Sequence, residues 1–492
     1  MGKFILAIDQ GTTGSTAALF DTSGNMQAKV NKEFRQIFPK PGWVEHDLDD
    51  IWKSVTDSIQ AVLTSCAASG QDIVAIGITN QRETTAVWDF KTGQAVHNAI
   101  VWQCRRTADY CAKLKQAGHE PLFRQRTGLV LDPYFSGTKL RWLLDNVAGL
   151  NDPAQRGDVR FGTIDSYLVY RLTGRQAHIT DVSNASRTLL MNLDDLAWDD
   201  QLLGILGIPK AMLPEIRSSS EKYGTTRQVP GLPDGIPICG IAGDQQAALF
   251  GQACFDCGQV KCTYGTGAFV LMNTGQRAVR STRGLLTTVG WKIDNEVVYA
   301  LEGSVFIAGA AVQWLRDGLG ILNDSADIAS LASQVESSDG VVFVPALVGL
   351  GAPRWNPEAR GIISGITRGT TTAHLCRATL EGIAFQVRDV VETMRQDAED
   401  ELAFLRVDGG AAANDLLLQF QSDILGVEIH RPKILETTAL GAALLAGLAA
   451  GVFNDRDEIC NKWQRERLFK PEMDAKHVAS HLSRWEAAVA KT

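Results

Sequence analysis

The sequence predicts an α/β protein of two domains, built on a duplicated β-sheet core with a cleft between the halves. Apolar strands that end in glycine-rich turns open the chain and recur about half a chain later, and helical patterns follow each opening. A length of 492 residues suits two domains, since domains typically hold about 100 to 200 residues. We place the boundary so that the halves are residues 1–247 and 248–492.

The first half begins with an antiparallel meander. The apolar runs FILAID and TAALFD predict two strands, and the segment TSGN, residues 22–25, predicts the turn into a third strand over residues 26–34. An amphipathic helix is expected over residues 48–67, because apolar residues recur at helical spacing after Asp47, a suitable N-cap. The run DIVAIGITN then predicts a buried strand that ends on polar residues.

The second half repeats this opening. The run QVKCTYGTGAFVLMNTGQ, residues 259–276, has a strand, a Thr-Gly turn, a second strand and an Asn-Thr-Gly turn. Helical patterns cover residues 301–314 and 375–394, and LRVDGG, residues 405–410, predicts a strand that ends in an acid and two glycines. The tract at residues 439–453 is shorter than the roughly 18 residues of a membrane span, and its Ala and Gly content predicts a helix packed closely inside a domain.

Composition restricts the classes of function. A net charge of −8 argues against general binding to nucleic acid or to an anionic membrane, and the first apolar run ends at Asp9, too soon for a signal peptide. Nine cysteines are too few for a disulfide framework, which predicts a reducing, cytoplasmic location. Cys254 and Cys257 have C-x-x-C spacing, with Cys262 nearby, but no second pair accompanies them. We therefore expect small buried cysteines in place of a zinc or redox site.

Three glycine-rich turns are candidates for binding phosphate: DQGTTG at residues 9–14, YGTG at 264–267 and DGG at 408–410. Each follows an apolar strand, where glycine brings backbone N–H groups close to an anion and threonine adds hydroxyl donors. Any one of them could be an ordinary hairpin, but together they favour a nucleotide held across the cleft. Asp9 has two interpretations, a turn residue that bonds its own backbone or a partner of the hydrated Mg²⁺ on ATP.

The order of the motifs DQGTTGST, GITNQRET, WQCRRT, DPYFSGTK, TDVSNASRT, GIAGDQQAALFGQ, YGTG and DGGAAAN resembles the FGGY family of carbohydrate kinases over residues 4–453. Within the family, NQRET and WQCRR resemble the members that act on glycerol. The resemblance implies a two-domain actin-like ATPase (ribonuclease H-like) fold with an interdomain cleft. It also implies ATP-dependent phosphorylation of glycerol to sn-glycerol 3-phosphate, with Mg²⁺ as cofactor, by a homo-oligomer, dimer or tetramer.

The resemblance also assigns roles to residues. Asp244 accepts the proton of the attacking hydroxyl, a step that in-line phosphoryl transfer requires, although by itself it could be a helix N-cap. The glycerol contacts are Arg82, Glu83, Trp102, Tyr134, Asp244, Gln245 and Phe269. The nucleotide contacts are Thr12, Thr13, Gly14, Thr16, Thr266, Gly309, Gln313, Gly410 and Asn414. Of the two interpretations of Asp9, the one chosen here is contact through water with the Mg²⁺ of the nucleotide.

These residue types match the chemistry of glycerol, which has both hydroxyl groups and CH faces. Arg82 can donate a fork of two hydrogen bonds, Glu83 can accept from hydroxyls, and Trp102 and Phe269 can cover the CH faces of a small triol. Without the resemblance, the same residues would be a solvated ion pair and two core aromatics.

Two departures from the family pattern concern affinity and regulation. Thr16 stands where many relatives have Arg, so we expect weaker binding of ATP or ADP. The segment VPGLPDGIPICG has no arginine, which disfavours the sugar-bisphosphate inhibition of some bacterial relatives. Three other hypotheses stay open: an FGGY kinase for another polyol or a sugar, an ATPase switch like actin or the Hsp70 chaperones, and a scaffold protein with incidental glycine turns.

Overall fold

The computed structural model describes residues 3–492. In chain order, its strands are β1 Phe4–Gln10, β2 Gly14–Asp21, β3 Met26–Glu33, β4 Glu45–His46, β5 Ile73–Asn80, β6 Ala86–Asp89, β7 Ala99–Ile100, β8 Val159–Gly162, β9 Ile179–Asp181, β10 Met191–Asn192, β11 Ala197–Trp198, β12 Glu215–Arg217, β13 Ser220–Thr225, β14 Pro237–Gly243, β15 Val260–Tyr264, β16 Ala268–Asn273, β17 Leu286–Ile293, β18 Glu296–Val305, β19 Val342–Val344, β20 Ile362–Ser364, β21 Phe404–Asp408, β22 Glu428–Pro432 and β23 Arg465–Phe469.

The α-helices are α1 Leu48–Ser65, α2 Ala108–Gln116, α3 Glu120–Thr127, α4 Ser136–Asn146, α5 Asn151–Arg156, α6 Ile164–Leu172, α7 Val182–Ala185, α8 Asp200–Leu206, α9 Asp244–Gly251, α10 Gly309–Gln313, α11 Asp327–Ala332, α12 Thr372–Ala398, α13 Asp415–Leu425, α14 Thr437–Ala449, α15 Arg456–Lys462 and α16 Ala475–Val489. Short 3₁₀ turns occur at Gly70–Asp72, Lys210–Met212 and Gly410–Ala413, and Trp314–Gly318 is a π-helical turn.

Two mixed sheets form the core, and they confirm the predicted duplicated α/β architecture. The first sheet has the strand order β13-β14-β5-β1-β2-β3, and the second has the order β17-β18-β16-β15-β21-β22-β23. In the first sheet, β1 pairs antiparallel with β2 and parallel with β5. In the second sheet, β15 likewise pairs antiparallel with β16 and parallel with β21, so the same local pattern occurs twice.

The predicted N-terminal elements are confirmed. Strands β1, β2 and β3 form the antiparallel meander. Helix α1 begins directly after Asp47, whose carboxylate accepts hydrogen bonds from the backbone N–H groups of Asp49 and Asp50. The apolar face of α1 packs on the first sheet in one cluster with Leu6 and Ile8 of β1.

One of the two long helical patterns is predicted wrongly at its start. Residues 301–305 belong to strand β18, and helix α10 begins only at Gly309. Strand β18 lies between β16 and β17, and its residues from Val298 onward are buried. A strand covered on both faces lacks the alternation that separates a strand from a buried helix in sequence. The other pattern is confirmed by α12.

Helices α9 and α14 lie between the two sheets. One apolar cluster joins Ile5 and Ala7 of β1 and Leu271 of β16 to side chains of both helices. A Cβ atom at Gly441 of α14 would lie 1.8 Å from the carbonyl oxygen of Ala247 in α9, so only glycine allows this approach. The predicted close packing of this Ala- and Gly-rich tract is therefore confirmed. The predicted domain boundary at 247/248 falls inside α9 and stays a prediction.

Two further expectations concern the membrane and the cysteines. Within residues 3–492, no helix combines the length and the apolarity needed to cross a membrane. Cys254 and Cys262 are buried, as expected, but Cys257 is exposed. The loop between α9 and β15 brings Cys257 to the surface, where its Sγ atom lies 3.3 Å from Asp400 Oδ2.

We predict that Gly441→Ala lowers the free energy of unfolding by about 3 kcal/mol or more, because the added methyl group forces α9 and α14 apart. Urea unfolding measures the change. Gly204→Ala is the matched control, since a Cβ atom at Gly204 of α8 meets no heavy atom within 4 Å. This control should be stabilised by about 0.5 to 1 kcal/mol, because alanine is the better helix former. Equal effects of the two substitutions would contradict the packing argument.

Candidate functional site

The site lies where strand ends of both sheets meet the beginnings of α9 and α14. Strands β1 and β5 of the first sheet end at Gln10 and Asn80, and β15 of the second sheet ends at Tyr264. Helix α9 begins at Asp244 directly after β14, so the segment GDQQ, residues 243–246, is the junction of a strand and a helix. In open α/β sheets, ligands bind outside the carboxyl ends of the strands, as these ends are placed here.

The first glycine-rich turn is closed and fixed by hydrogen bonds. The backbone N–H of Gly11 donates to the carbonyl oxygen of Gly14 at 2.9 Å. The Nε1–H of Trp102 donates to Thr12 Oγ1 at 2.9 Å, so a predicted glycerol residue contacts a predicted phosphate residue. Thr13 is exposed at the tip of the turn. The structure thus brings Thr12 and Trp102 together and leaves Thr13 open to a ligand.

Three carboxylates are near enough for their charges to interact: Asp9 on β1, Asp244 at the start of α9 and Glu436 before α14. Burial, and then the charges of Asp244 and Glu436, raise the pKa of Asp9 to about 7. Thr16 lies beside Asp9 in the register of β1 and β2, and its Oγ1 accepts from Asn31 Nδ2 at 2.9 Å. A cation in this position would relieve the repulsion among the carboxylates.

The carboxylates fit a hydrated cation better than a directly bound one. Among residues 3–492, no group of three or more His, Cys, Asp or Glu side chains is arranged to hold a metal ion. Mg²⁺ dehydrates reluctantly and usually keeps several of its waters. The arrangement around Asp9 therefore agrees with contact through water, and this role of Asp9 stays a prediction.

The second glycine-rich turn is joined to the start of α10. The carbonyl oxygen of Thr266 accepts hydrogen bonds from the backbone N–H groups of Ala308 and Ala310 at 2.9 and 3.0 Å. Gly309 donates to the carbonyl oxygen of Gly265 at 3.0 Å, and a Cβ atom at Gly309 would lie only 2.7 Å from that oxygen. The structure thus places Thr266 and Gly309 side by side, as one nucleotide site requires.

The third glycine-rich turn lies next to the second. Gly409 has a φ of 85°, and a Cβ atom there would meet the carbonyl oxygen of Tyr264 at 2.4 Å. Gly410 is exposed, as is Gln313 at the end of α10. Asn414 caps α13, because its Oδ1 accepts from the backbone N–H three residues later at 3.1 Å. Asn414 therefore has a structural role besides the adenosine contact predicted for it.

The predicted glycerol residues of the first half come together around Arg82. The Nε atom of Arg82 lies 3.1 Å from Asp244 Oδ1 and 3.8 Å from Glu83 Oε1, and its Nη2 lies 3.4 Å from the hydroxyl of Tyr134. The ring of Trp102 packs edge-on against Tyr134, with the ring centroids 5.6 Å apart. Polar groups and two aromatic rings therefore cluster near Asp244.

The Arg82 guanidinium is held by a residue of the second sheet. Its Nη1 and Nη2 donate to the two carboxylate oxygens of Glu302 at 2.5 and 2.9 Å. Arg187 bridges two carboxylates, donating from Nε to Glu83 Oε1 at 2.6 Å and from Nη2 to Glu302 Oε1 at 2.9 Å. All four side chains are buried. The fork expected to hold glycerol is thus occupied by Glu302, and the Nε edge of Arg82 is the part that faces Asp244.

Phe269 lies on the sheet face that carries Glu302. It is opposite Thr263 of β15 and opposite Ser304 of β18 in the antiparallel register. Glu302 lies two residues before Ser304, so its side chain is on the same face one row away. Phe269 is partly buried, as a wall of the acceptor pocket would be.

Comparison with known proteins decides the family. The model of the FGGY family of carbohydrate kinases, N-terminal domain, matches residues 4–251, and the model of the C-terminal domain of this family matches residues 260–450. The chain belongs to the FGGY family of carbohydrate kinases. As an FGGY kinase, it is similar to many curated proteins.

Two curated relatives and one solved structure are similar over almost the whole chain. A glycerol kinase of Myxococcus xanthus is 57% identical over 489 residues, 99% of each chain. Glycerol kinase 2 of Thermotoga maritima is 56% identical over 491 residues, 100% of this chain and 99% of its own. The crystal structure of Plasmodium falciparum glycerol kinase with ADP has a TM-score of 0.93 and 38% identity, and the match covers 99% of this chain and 98% of that chain.

Sequence reasoning about this FGGY kinase missed three charged residues in the site: Arg187, Lys261 and Glu302. Lys261 and Glu302 each lie inside an apolar strand, in QVKCTY and YALEGSV. A charge inside a buried strand must be paired, and this rule would have identified both residues as candidates for the site. Arg187 belongs to the quoted motif TDVSNASRT, but nothing in that motif identifies its partner.

We predict that Glu302 contributes stability that disappears in acid. Burial alone would raise its pKa, but the guanidinium groups of Arg187 and Arg82 outweigh burial and lower the pKa to about 2. Because the pKa in the folded state is below the ordinary glutamate value of 4.5, this contribution is complete above about pH 4.5 and is lost as the pH falls towards 2.

Glu302→Gln should therefore cost about 3 to 5 kcal/mol at pH 7, since it removes the carboxylate charge that the two buried guanidinium groups share. In urea unfolding experiments, the difference in stability from wild type should be constant above about pH 5 and should narrow as the pH falls from about 4.5 towards 2. Glu336→Gln, at an exposed position, is the control and should have little effect at either pH. A difference that is independent of pH would show that Glu302 is not held ionised by the two arginines.

Proposed function

We propose that this protein transfers the γ-phosphoryl group of ATP to glycerol and forms sn-glycerol 3-phosphate. The observation that carries the proposal is the position of Asp244. Its carboxylate stands beside Arg82 on one side and near Asp9, next to the first phosphate turn, on the other. The names and near-complete coverage of the Myxococcus and Thermotoga relatives support glycerol as the acceptor.

Glycerol binds, in this proposal, between the residues around Arg82 and two aromatic walls. Glu83 and Asp244 accept hydrogen bonds from hydroxyls, while Arg82 Nε donates. Trp102 and Phe269 cover the carbon chain and leave no room for a bulky hexose. An analogue that lacks one hydroxyl binds poorly, because it leaves a buried polar group of the site without a partner.

The chemical step needs a base next to the attacking hydroxyl. Asp244 takes the proton as the glycerol oxygen forms its bond to the γ-phosphorus, and the bond from that phosphorus to the bridging oxygen of ADP breaks in line. The side chain of Asp244 is 32% exposed, so one carboxylate oxygen is accessible from the cleft. Closure of the cleft would exclude water that otherwise competes with glycerol for the phosphoryl group.

The phosphates bind, in this proposal, at the two turns around Thr12 and Thr266, where backbone N–H groups and hydroxyls supply donors. Thr13, Gly14 and Thr16 belong to the same phosphate site. Gly309, Gln313, Gly410 and Asn414 surround the adenosine. Mg²⁺, reached through water from Asp9, supplies neutralisation of the phosphate charge when it is bound. The proposal also includes a cytoplasmic location, which the cysteine usage predicts, and a homo-oligomeric state, which the resemblance to the family implies.

The test of this function is the transfer of labelled phosphate from ATP to glycerol, with the product position identified. A panel with other polyols and with xylulose tests the alternative of a different FGGY substrate. If the protein hydrolyses ATP and neither glycerol nor any other acceptor of the panel stimulates this hydrolysis, the ATPase switch is favoured and the proposal is contradicted. Labelled sn-glycerol 3-phosphate as the main product supports it.

We predict that Asp244→Asn lowers kcat by about 10²- to 10⁴-fold, the usual contribution of a general base, since the amide cannot accept the proton. Binding of glycerol, measured by calorimetry, and the Tm should change little because the variant keeps its shape. Asp57→Asn, on the exposed side of α1, is the control and should keep the wild-type kcat. Near-normal kcat in Asp244→Asn would refute the assignment of the base.

A further inference from the structure

Lys261 is a fully buried lysine in the second sheet that the mechanism above does not use. It belongs to β15, three residues before the turn that begins at Tyr264. Its Nζ donates hydrogen bonds to the side-chain oxygen of Gln245 and, at 2.9 Å, to Thr263 Oγ1. An ammonium group is costly to bury, so these bonds are needed to keep it in this position.

The surroundings of Lys261 connect the two halves of the site. Lys261 is opposite Leu271, and Leu271 is opposite Glu302, so all three lie in one row on the same face of the second sheet. Thr263 and Phe269 form the next row towards the turn. Burial lowers the pKa of Lys261, whereas Asp408 and Asp244 favour the charged ammonium form.

The bond from Lys261 decides the orientation of the Gln245 amide. An ammonium group has three donors and no acceptor, so the amide atom that faces it must be the oxygen. The Nε2 group of Gln245 is therefore turned away from Lys261. Within residues 3–492, this Nε2 group donates to no protein atom. It is not among the buried polar atoms that lack a partner, so solvent or a ligand can reach it. Gln245 directly follows Asp244, so this free donor lies beside the proposed base.

We propose that Lys261 is a positioning residue for the acceptor alcohol: it fixes the amide of Gln245 so that Nε2 donates to a hydroxyl of glycerol. This inference rests on the proposed function and adds a residue to it. The bond to Thr263 also ties the amide to the strand that leads into the second phosphate turn. Lys261 thus sets the distance between the acceptor and the phosphate-binding residues, although it touches neither substrate.

A purely structural lysine would behave differently. Its removal would lower the Tm and would affect the KM values for glycerol and ATP alike. A positioning role instead predicts a change confined to the acceptor, and it predicts that this change passes through Gln245. Both features are measurable by steady-state kinetics with a double-mutant cycle.

The first experiment compares wild type, Lys261→Met, Gln245→Ala and the double variant. Methionine keeps an unbranched stem but has no donor. We expect Lys261→Met to raise the glycerol KM about 10-fold or more, as the loss of one well-oriented hydrogen bond does, and to leave the ATP KM within about 2-fold. In the Gln245→Ala background, the same change should add less than about 2-fold. Lys222→Met, which removes the same charge from an exposed position of β13, should leave both KM values unchanged.

Three outcomes of this experiment overturn the inference: an unchanged glycerol KM, equal rises of the two KM values, or full additivity of the two substitutions. If Lys261→Met does not fold, Gln245→Glu tests the same amide. It keeps an oxygen towards Lys261 but has no N–H donor, so the glycerol KM should rise about 10-fold with the Tm preserved. An unchanged glycerol KM in this variant also overturns the inference.

The wild-type enzyme separates the two levels of the proposal. A wild type that transfers no phosphate to glycerol overturns the proposed function and the inference together. An active wild type whose KM for glycerol is insensitive to these substitutions overturns the inference alone.

Discussion

The close crossing of helices α9 and α14 is the constraint on which the site depends. Gly441 lets α14 approach the backbone of α9 at Ala247, and both sheets pack on this pair of helices. Because both helices begin at the cleft, Asp244 and Glu436 come near Asp9 at the end of β1. A wider crossing would move the start of α9 away from the strand ends. The proposed base and the first phosphate turn would then no longer share one cleft.

The buried charges around Arg82 are better explained by orientation than by stability. The attraction between Arg82 and Glu302 is offset by the cost of removing both from water, so the pair adds little net stability over an apolar one. The pair instead fixes the orientation of Arg82, because Glu302 of the second sheet binds the guanidinium through Nη1 and Nη2. Arg187 fixes the carboxylate of Glu83 by a hydrogen bond from its Nε atom. Each side chain is fixed, and the Nε edge of Arg82 still faces Asp244.

The sequence was sufficient to predict elements that have one apolar and one polar face. It was insufficient for elements that are buried on both faces. Helix α1 has one apolar stripe and a capping Asp47, so its pattern and its start were readable. Strand β18 is buried along most of its length, and its pattern was compatible with a helix. The contacts of Glu302 and Lys261 join residues far apart in the chain, and no local pattern encodes such pairs. The predicted roles of Arg82, Tyr134 and Asp244 placed them together, but the resemblance to a family carried that prediction, not the spacing.

The cleft contains carboxylates that favour a cation and hydrogen-bond donors that favour an anion, and one ligand can satisfy both. Burial, and then the charges of Asp244 and Glu436, raise the pKa of Asp9, so a cation near these carboxylates is favoured. The turns around Thr12 and Thr266, and the helix starts beside them, present donors that favour an anion. A metal ion alone leaves these donors unused, and a free phosphate alone adds to the repulsion from the carboxylates. A nucleotide that carries its own hydrated cation supplies both charges in one molecule, and this complementarity is the physical reason to expect selection of the metal complex over either component.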